Sequence, residues 1–83
     1  MKLTYDPKHN IAYIRLRERK TQVETIRISE ELNIDLSLDG TIYGIELTNA
    51  NAVLANEDAG KLLFDNEATG AHAEMPLMEI TQR

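Results

Sequence analysis

Few residues in this chain are of the types that perform covalent chemistry. It has no cysteine and two histidines, His9 and His72, so a nucleophile and base would have to combine a histidine with a serine or threonine. His9 follows a turn-forming Asp-Pro, His72 lies near the C-terminus, and neither Ser29 nor Ser37 is placed to meet them. No Ser-His-Asp arrangement is predicted, and we expect both histidines to be solvated. The sequence therefore assigns no catalytic residue.

Metal and cofactor sites are not predicted either. The chain has no H-x-x-x-H pair and no EF-hand loop. Asp35 and Asp39 flank a turn, where carboxylates commonly accept hydrogen bonds from turn amides. The four glycines do not form a phosphate-binding loop, and Gly44 inside a strand pattern indicates a bulge or a close backbone approach. We expect no metal and no cofactor.

Composition sets the class of protein. Eighty-three residues, 42% of them apolar, predict one domain over residues 1–83 with a small core. The absence of cysteine favours a cytoplasmic setting. No run approaches the 18 apolar residues of a membrane span, so no membrane association is expected. A net charge of −5 opposes binding to nucleic acid.

The strongest structural signal is the stretch from Leu32 to Leu47, where two alternating apolar runs flank Asp39-Gly40. This dipeptide predicts a two-residue hairpin with a type I′ turn. The turn fixes the register, which places apolar residues opposite one another on one face. The predicted apolar pairs are Leu36 with Tyr43, Ile34 with Ile45 and Leu32 with Leu47, and Asn33 pairs with Glu46 on the other face.

The same alternation recurs in three earlier segments, which predicts five strands. Turn-forming or polar stretches at residues 6–10, 17–22 and 29–31 separate them. Pairing successive strands keeps the apolar positions in phase and gives an antiparallel meander in the order 1-2-3-4-5. Its apolar face, predicted to pack against helices or a second subunit, consists of Leu3, Ile14, Ile28, Ile34, Ile45 and Leu47.

Alternation ends after Thr48, where the sequence becomes rich in alanine. Residues 49–66 are predicted to be helical, with Asn56 as an N-cap and Leu62 and Leu63 at helical spacing. Residues 67–83 fit an extended arm or a last short strand. The predicted class is therefore α+β: a sheet over 1–48, short helices packed on one face, and a C-terminal arm. Five strands span about 24 Å and one helix covers about 10 Å, so we expect a homodimer, with a compact monomer as the alternative.

The meander predicts a cationic row on the polar face, with Lys2, Arg15 and Arg27 side by side and Tyr13 and Arg17 extending it. Like charges directly opposed in a sheet are unfavourable, so an anion is expected over this predicted partner-binding surface. One source is internal, because the tail carries Glu67, Glu74 and Glu79. Another is an acidic partner protein, for which arginine and tyrosine are favoured anchors. A third interpretation is that the cations are simply solvated.

Several segments together resemble one protein family. They are Tyr5-Asp6-Pro7, Ala12-Tyr13-Ile14-Arg15-Leu16, Asn33-Ile34-Asp35-Leu36, Asp39-Gly40 and Gly44-Ile45-Glu46-Leu47. They resemble the domain of unknown function 2283 family of small prokaryotic proteins over residues 1 to about 50. The resemblance implies an antiparallel sheet followed by helical material and supplies no catalytic residues. Because some relatives sit beside small toxin-like genes, it also implies an antitoxin-like role.

These observations favour a non-enzymatic protein-interaction module that dimerises and binds a protein partner, with a toxin-like protein as one such partner. An alternative from another class is a small-ligand-binding protein or enzyme whose site forms between subunits. A third, nucleic-acid regulation, would require the basic surfaces of two subunits to align.

Overall fold

The computed structural model describes residues 1–18 and 21–78, which form an α+β protein composed mostly of antiparallel sheet. The chain divides into two compact units, Met1–Ala50 and Asn51–Arg83. Five strands form the first unit, and one short helix, a 3-10 turn and a hairpin form the described part of the second. The elements are β1 Lys2–Asp6, β2 Ile11–Arg15, β3 Glu24–Arg27, β4 Leu32–Leu36, β5 Ile42–Thr48, α1 Asn51–Asn56, β6 Lys61–Asp65 and β7 His72–Pro76.

The strand order of the five-stranded sheet is β1-β2-β5-β4-β3, so the predicted meander is wrong. β2 pairs with β5 instead of β3, which gives a Greek-key arrangement. Alternation determines which face a side chain occupies but not which strand is the neighbour, and both orders keep the apolar face in phase. The observed order places the apolar β5 in the centre and leaves the polar β3 (Glu24–Arg27) at an edge, where unpaired backbone groups can meet water.

The other strand pairings follow the predicted registers, with one local exception. Leu3 lies opposite Ile14, Ile26 opposite Ile34, and the β4–β5 ladder pairs Leu32 with Leu47 and Ile34 with Ile45. On the polar face, the Asn33 side chain donates to Glu46 over 2.8 Å. The exception is the end of the ladder next to the turn, where Leu36 pairs with Ile42 and not with Tyr43.

The cause lies in the turn, which is not the predicted two-residue type I′ loop. Only Gly40 has a positive φ there, at 91°. The Ser37 amide donates to the Thr41 carbonyl over 2.9 Å, and the Gly40 amide donates to the Ser37 carbonyl over 3.1 Å. This is a three-residue loop, Leu38-Asp39-Gly40, with glycine in the left-handed position. The longer loop shifts the register by one residue, and a bulge at Tyr43 restores it by Gly44.

The apolar face of the sheet is incompletely covered. A row across all five strands contains Leu3, Ile14, Ile45, Ile34 and Ile26. Four of these are half-buried, whereas Ile26 is exposed, as is Ile28 just beyond the end of β3. Within the first unit, only Ala12 and Ala50 are fully buried apolar residues of the described chain. The strands therefore form a continuous apolar face whose β3 edge is open to solvent, and its role in packing or self-association stays a prediction.

The second unit corrects the predicted helical segment. The helix α1 ends at Asn56, and the N-cap predicted there makes no side-chain capping hydrogen bond to the following 3-10 turn, Glu57–Gly60. Leu62 and Leu63, predicted on a helix, lie instead on β6, which pairs with β7 as an antiparallel hairpin. The predicted last short strand is therefore present as β7, whereas its pairing with β6 was not predicted. Among residues 1–18 and 21–78, no helix is long and apolar enough to span a membrane.

Candidate functional site

The polar face of the sheet carries the predicted cations, but not as one row. Arg15 lies opposite Lys2 on one side and Gly44 on the other, and the row continues to Asp35 and Thr25. Arg27 belongs to the neighbouring row, opposite Asn33. The predicted alignment of three adjacent cations is wrong because β2 and β3 are not neighbours. The strand order therefore replaces the predicted row of three cations with a row that contains two cations, Lys2 and Arg15, and one anion, Asp35.

The Tyr13 side chain leaves the row of cross-strand neighbours that contains Glu46 and extends over Gly44 in the adjacent row. A Cβ on Gly44 would stand 1.9 Å from the Tyr13 hydroxyl oxygen, so the phenol ring occupies the space that a side chain at position 44 would need. The Tyr13 hydroxyl donates to Asp35 Oδ2 over 2.8 Å. Thr25 donates to the other oxygen, Oδ1, over 2.7 Å. This confirms the prediction of a bulge or close approach at Gly44.

The bulge brings Tyr43 to the same surface. Tyr43 was predicted on the apolar face, but it is the extra residue of β5 and lines a surface depression of about 350 Å³. The other lining residues are Tyr13, Arg15, Arg17 and Asp35. Three of the five predicted binding residues therefore surround one depression, together with two residues that the prediction missed.

Arg15 has an unusual environment in this depression. Its Nε is shut off from solvent and has no hydrogen-bond partner in the part of the chain that the structure describes. A buried donor without an acceptor costs about 1–3 kcal/mol. Within residues 1–18 and 21–78, the neighbouring Arg17 also forms no ion pair. The depression therefore presents guanidinium groups that its own described carboxylates do not neutralise.

The other two predicted cations lie outside the depression. Lys2 is exposed on the edge strand β1, opposite Arg15. Arg27 is exposed, and its Nε donates to the Ser29 carbonyl over 3.3 Å. Neither lines the depression.

The sequence did not predict Tyr43 at this site because of the bulge, and it did not predict Asp35 for a different reason. Asp35 was assigned to turn hydrogen bonding, whereas Asp39 performs that role. Asp39 accepts from the Thr41 amide over 2.9 Å and from the Ser37 hydroxyl. The Ser37 hydrogen bond, followed by those from Thr41, lowers the pKa of Asp39 to about 2. The sequence did indicate the position of Asp35, because the alternation of side chains along the strand places it on the polar face, opposite Gly44.

A second group of ionisable side chains lies on one face of the β6–β7 hairpin. His72 Nδ1 lies 2.5 Å from Asp65 Oδ1, His72 Nε2 lies 3.1 Å from Glu74, and Lys61 lies 3.2 Å from Glu74. The hydrogen bond to Asp65, then that to Glu74, raises the pKa of His72. Glu74 is thus engaged within the hairpin, and Glu79, the last of the predicted internal anions, lies outside the described residues.

Neither group has the geometry of a catalytic or metal centre. In the described ranges, no cluster of His, Cys, Asp and Glu side chains is arranged to hold a metal ion. No described serine or threonine hydroxyl is hydrogen-bonded to a histidine; His9 instead lies 2.8 Å from Asp6. The arrangement on the sheet is suited to binding through charge and aromatic surface.

Comparison with known proteins decides the family. The sequence profile described as Protein of unknown function (DUF2283) matches residues 2–51, which include the whole five-stranded sheet. The chain belongs to this family. The matched region contains every residue that lines the depression, so the candidate site lies within the part that defines membership.

A curated relative is the uncharacterized protein YuzE of Bacillus subtilis (strain 168), which is 33% identical over 75 residues. The alignment covers 84% of this chain and 58% of the relative, so the chain spans less than two thirds of that protein. No solved structure matches the chain.

Proposed function

We propose that this protein is a non-enzymatic protein-interaction module that binds a partner protein through the polar face of its sheet. The observation that carries the proposal is the depression lined by Arg15, Arg17, Tyr13 and Tyr43, in which neither arginine forms an ion pair with a described residue. Lys2, exposed opposite Arg15, extends the cationic surface at the β1 edge, whereas Arg27 lies opposite Asn33 and outside the proposed binding surface. An acidic patch on a partner would pair with the solvent-facing terminal nitrogens of these guanidinium groups.

The residue types support a protein ligand. Arginine and tyrosine are enriched at protein interfaces and at their energetic hot spots, because each combines a large contact area with hydrogen-bonding groups. The depression is built on β2, β4 and β5 together with the residues just after β2, and Tyr13 is held by Asp35, so little ordering is required on binding. A small toxin-like protein is the partner class that we propose, with support from the family resemblance.

We also propose that the module forms a weak homodimer through the β6–β7 hairpin. Leu62, Phe64 and Met75 share one face of the hairpin and are 52%, 58% and 58% exposed. The ion pairs of Lys61, Asp65, His72 and Glu74 all lie on the opposite face. Because the apolar face carries no charge, a second copy of the same face is a suitable occupant. A two-stranded hairpin with a bare apolar face is marginal in water.

The area of this face sets the expected strength. The three side chains expose roughly 300 Å² per chain, given about 150–250 Å² for a whole large side chain. A symmetric pair would bury roughly 600 Å², well below the ~1,600 Å² of a standard interface. The dimer is therefore expected to dissociate on dilution.

The proposed function is tested by affinity capture from the native host with three tagged baits. These are the wild type, the double variant R15S/R17S in the depression, and the matched control R27S outside it. A stoichiometric protein that the wild type and R27S retain and the double variant loses would support the proposal. Equal capture by all three baits, with unchanged melting temperatures, would contradict it.

A further inference from the structure

The geometry of the depression points to a single carboxylate group of the partner, an acidic side chain or a chain terminus, as the ligand of Arg15. We infer that Arg15 is the anchor for this carboxylate and that Arg17 and the Tyr43 hydroxyl add further donors. This inference deepens the proposed function and rests on it, because it names the chemistry that the polar face recognises.

The Arg15 guanidinium has one nitrogen shut off from solvent. With its Nε shut off from solvent, the Arg15 guanidinium keeps only part of its hydration, so pairing its terminal Nη groups with an anion costs less desolvation than pairing an exposed arginine. The lower local dielectric also strengthens the attraction. Arg15 is half-buried while Arg17 is exposed, so Arg15 is expected to contribute more of the affinity.

Asp35 makes the depression better suited to a carboxylate than to a phosphate group. Asp35 lines the same depression, and its two oxygens accept hydrogen bonds from Tyr13 and Thr25, which fix it in place. Within the described residues, no cation forms an ion pair with Asp35. A fixed negative charge repels a phosphate dianion more strongly than a carboxylate monoanion. Planar carboxylates also match the guanidinium fork.

The depression also contains hydrogen-bond donors that a carboxylate could use. The Tyr13 hydroxyl is used by Asp35, but the Tyr43 hydroxyl makes no hydrogen bond to a described residue. The depression of about 350 Å³ is open to solvent, so a side chain or chain end of a partner can enter it. Arg15, Arg17 and Tyr43 thus offer donors around a volume that fits one carboxylate.

The experiment titrates the isotope-labelled full chain with propionate, which stands for a glutamate side chain, and follows amide and arginine Nε–H signals by NMR. Propionamide, the uncharged analogue, and inorganic phosphate are titrated at the same ionic strength. We expect propionate to shift the Arg15 Nε–H signal and the Tyr43 and Gly44 amides saturably. R15K should weaken this binding at least about fivefold, because lysine lacks the guanidinium fork, whereas R27K should leave it unchanged.

Equal shifts with propionamide, or tighter binding of phosphate than of propionate at these residues, would overturn the inference. Absence of any propionate shift would also overturn it. If the capture experiment still depends on Arg15 and Arg17 in that case, the proposed function survives and only the carboxylate assignment fails. If neither experiment depends on them, both fail.

Discussion

Tyr13 lies directly over Gly44, on the neighbouring strand, with its hydroxyl oxygen 1.9 Å from where a Cβ of residue 44 would stand. From there the hydroxyl reaches Asp35, on the strand beyond, over 2.8 Å. The missing side chain of Gly44 thus allows one tyrosine to tie three adjacent strands together. This contact forms one wall of the depression and gives the first prediction.

G44A should destabilise the protein by about 1–3 kcal/mol, the usual cost of forcing an extra group into a filled space. The backbone at Gly44 needs no glycine conformation, since its φ is not positive, so the cost reflects the clash with Tyr13 alone. Chemical denaturation measures the free energy of unfolding. A double-mutant cycle supplies the control: Y13A/G44A should be more stable than the sum of the single changes predicts. Strict additivity would show that Tyr13 does not occupy this space.

The second prediction concerns self-association through the hairpin. L62S/F64S should raise the dissociation constant of the homodimer at least about tenfold, because it removes two of the three large apolar side chains on that face. Analytical ultracentrifugation over a range of concentrations measures this shift. L63S is the matched control, since Leu63 is 42% exposed on the opposite face. A wild type that stays monomeric at millimolar concentration, or an equal effect of L63S, would refute the proposed interface.

The third prediction is a pH dependence of the hairpin. The pKa of His72 is raised by Asp65 and Glu74, so folding favours its protonated form. The resulting stabilisation is fully present below the unfolded-state value of about 6.5 and is lost as pH rises through the higher folded-state pKa. Hydrogen bonding to Asp65 is the larger cause, so D65N should lower the pKa of His72 more than E74Q does.

An NMR titration of the His72 ring protons tests this directly, and hydrogen exchange of the β6 and β7 amides at pH 6 and pH 8 tests the linked stability. A His72 that titrates at or below 6.5 in the wild type would contradict the assigned ion pairs. A larger effect of E74Q than of D65N would show that the ring faces Glu74 in preference to Asp65.

The strand registers show how far pattern reasoning reaches. Ile34 was correctly placed opposite Ile45, although the turn that was used to fix this pair was wrong. The Leu38-Asp39-Gly40 loop is one residue longer than predicted, and the bulge at Tyr43 returns the strand to the expected register. Burial of the apolar face restores the phase, because a permanent one-residue slip would turn every apolar side chain of β5 toward water.

The C-terminal unit shows where such reasoning fails. Leu62 and Leu63 lie in a short apolar run, and periodicity alone does not distinguish a helix from a strand in such a run. Pairing with Met75 and Glu74 stabilises the strand, and these residues lie more than ten positions away. The local sequence around Leu62 and Leu63 therefore does not reveal which segment pairs with them.

The sequence by itself determined the number of strands in the first unit, the face that the strand side chains occupy away from the bulge at Tyr43, and the family to which the chain belongs. These properties depend on the alternation of apolar and polar residues and on turn-forming residues, both of which are local features of the sequence. Only the tertiary structure decided that β5 lies between β2 and β4, which separates Arg27 from Arg15 and brings Asp35 to the depression. The order of the strands depends on which strand is stabilised most by pairing on both of its edges. This stabilisation depends on contacts throughout the sheet, so the local sequence does not determine it.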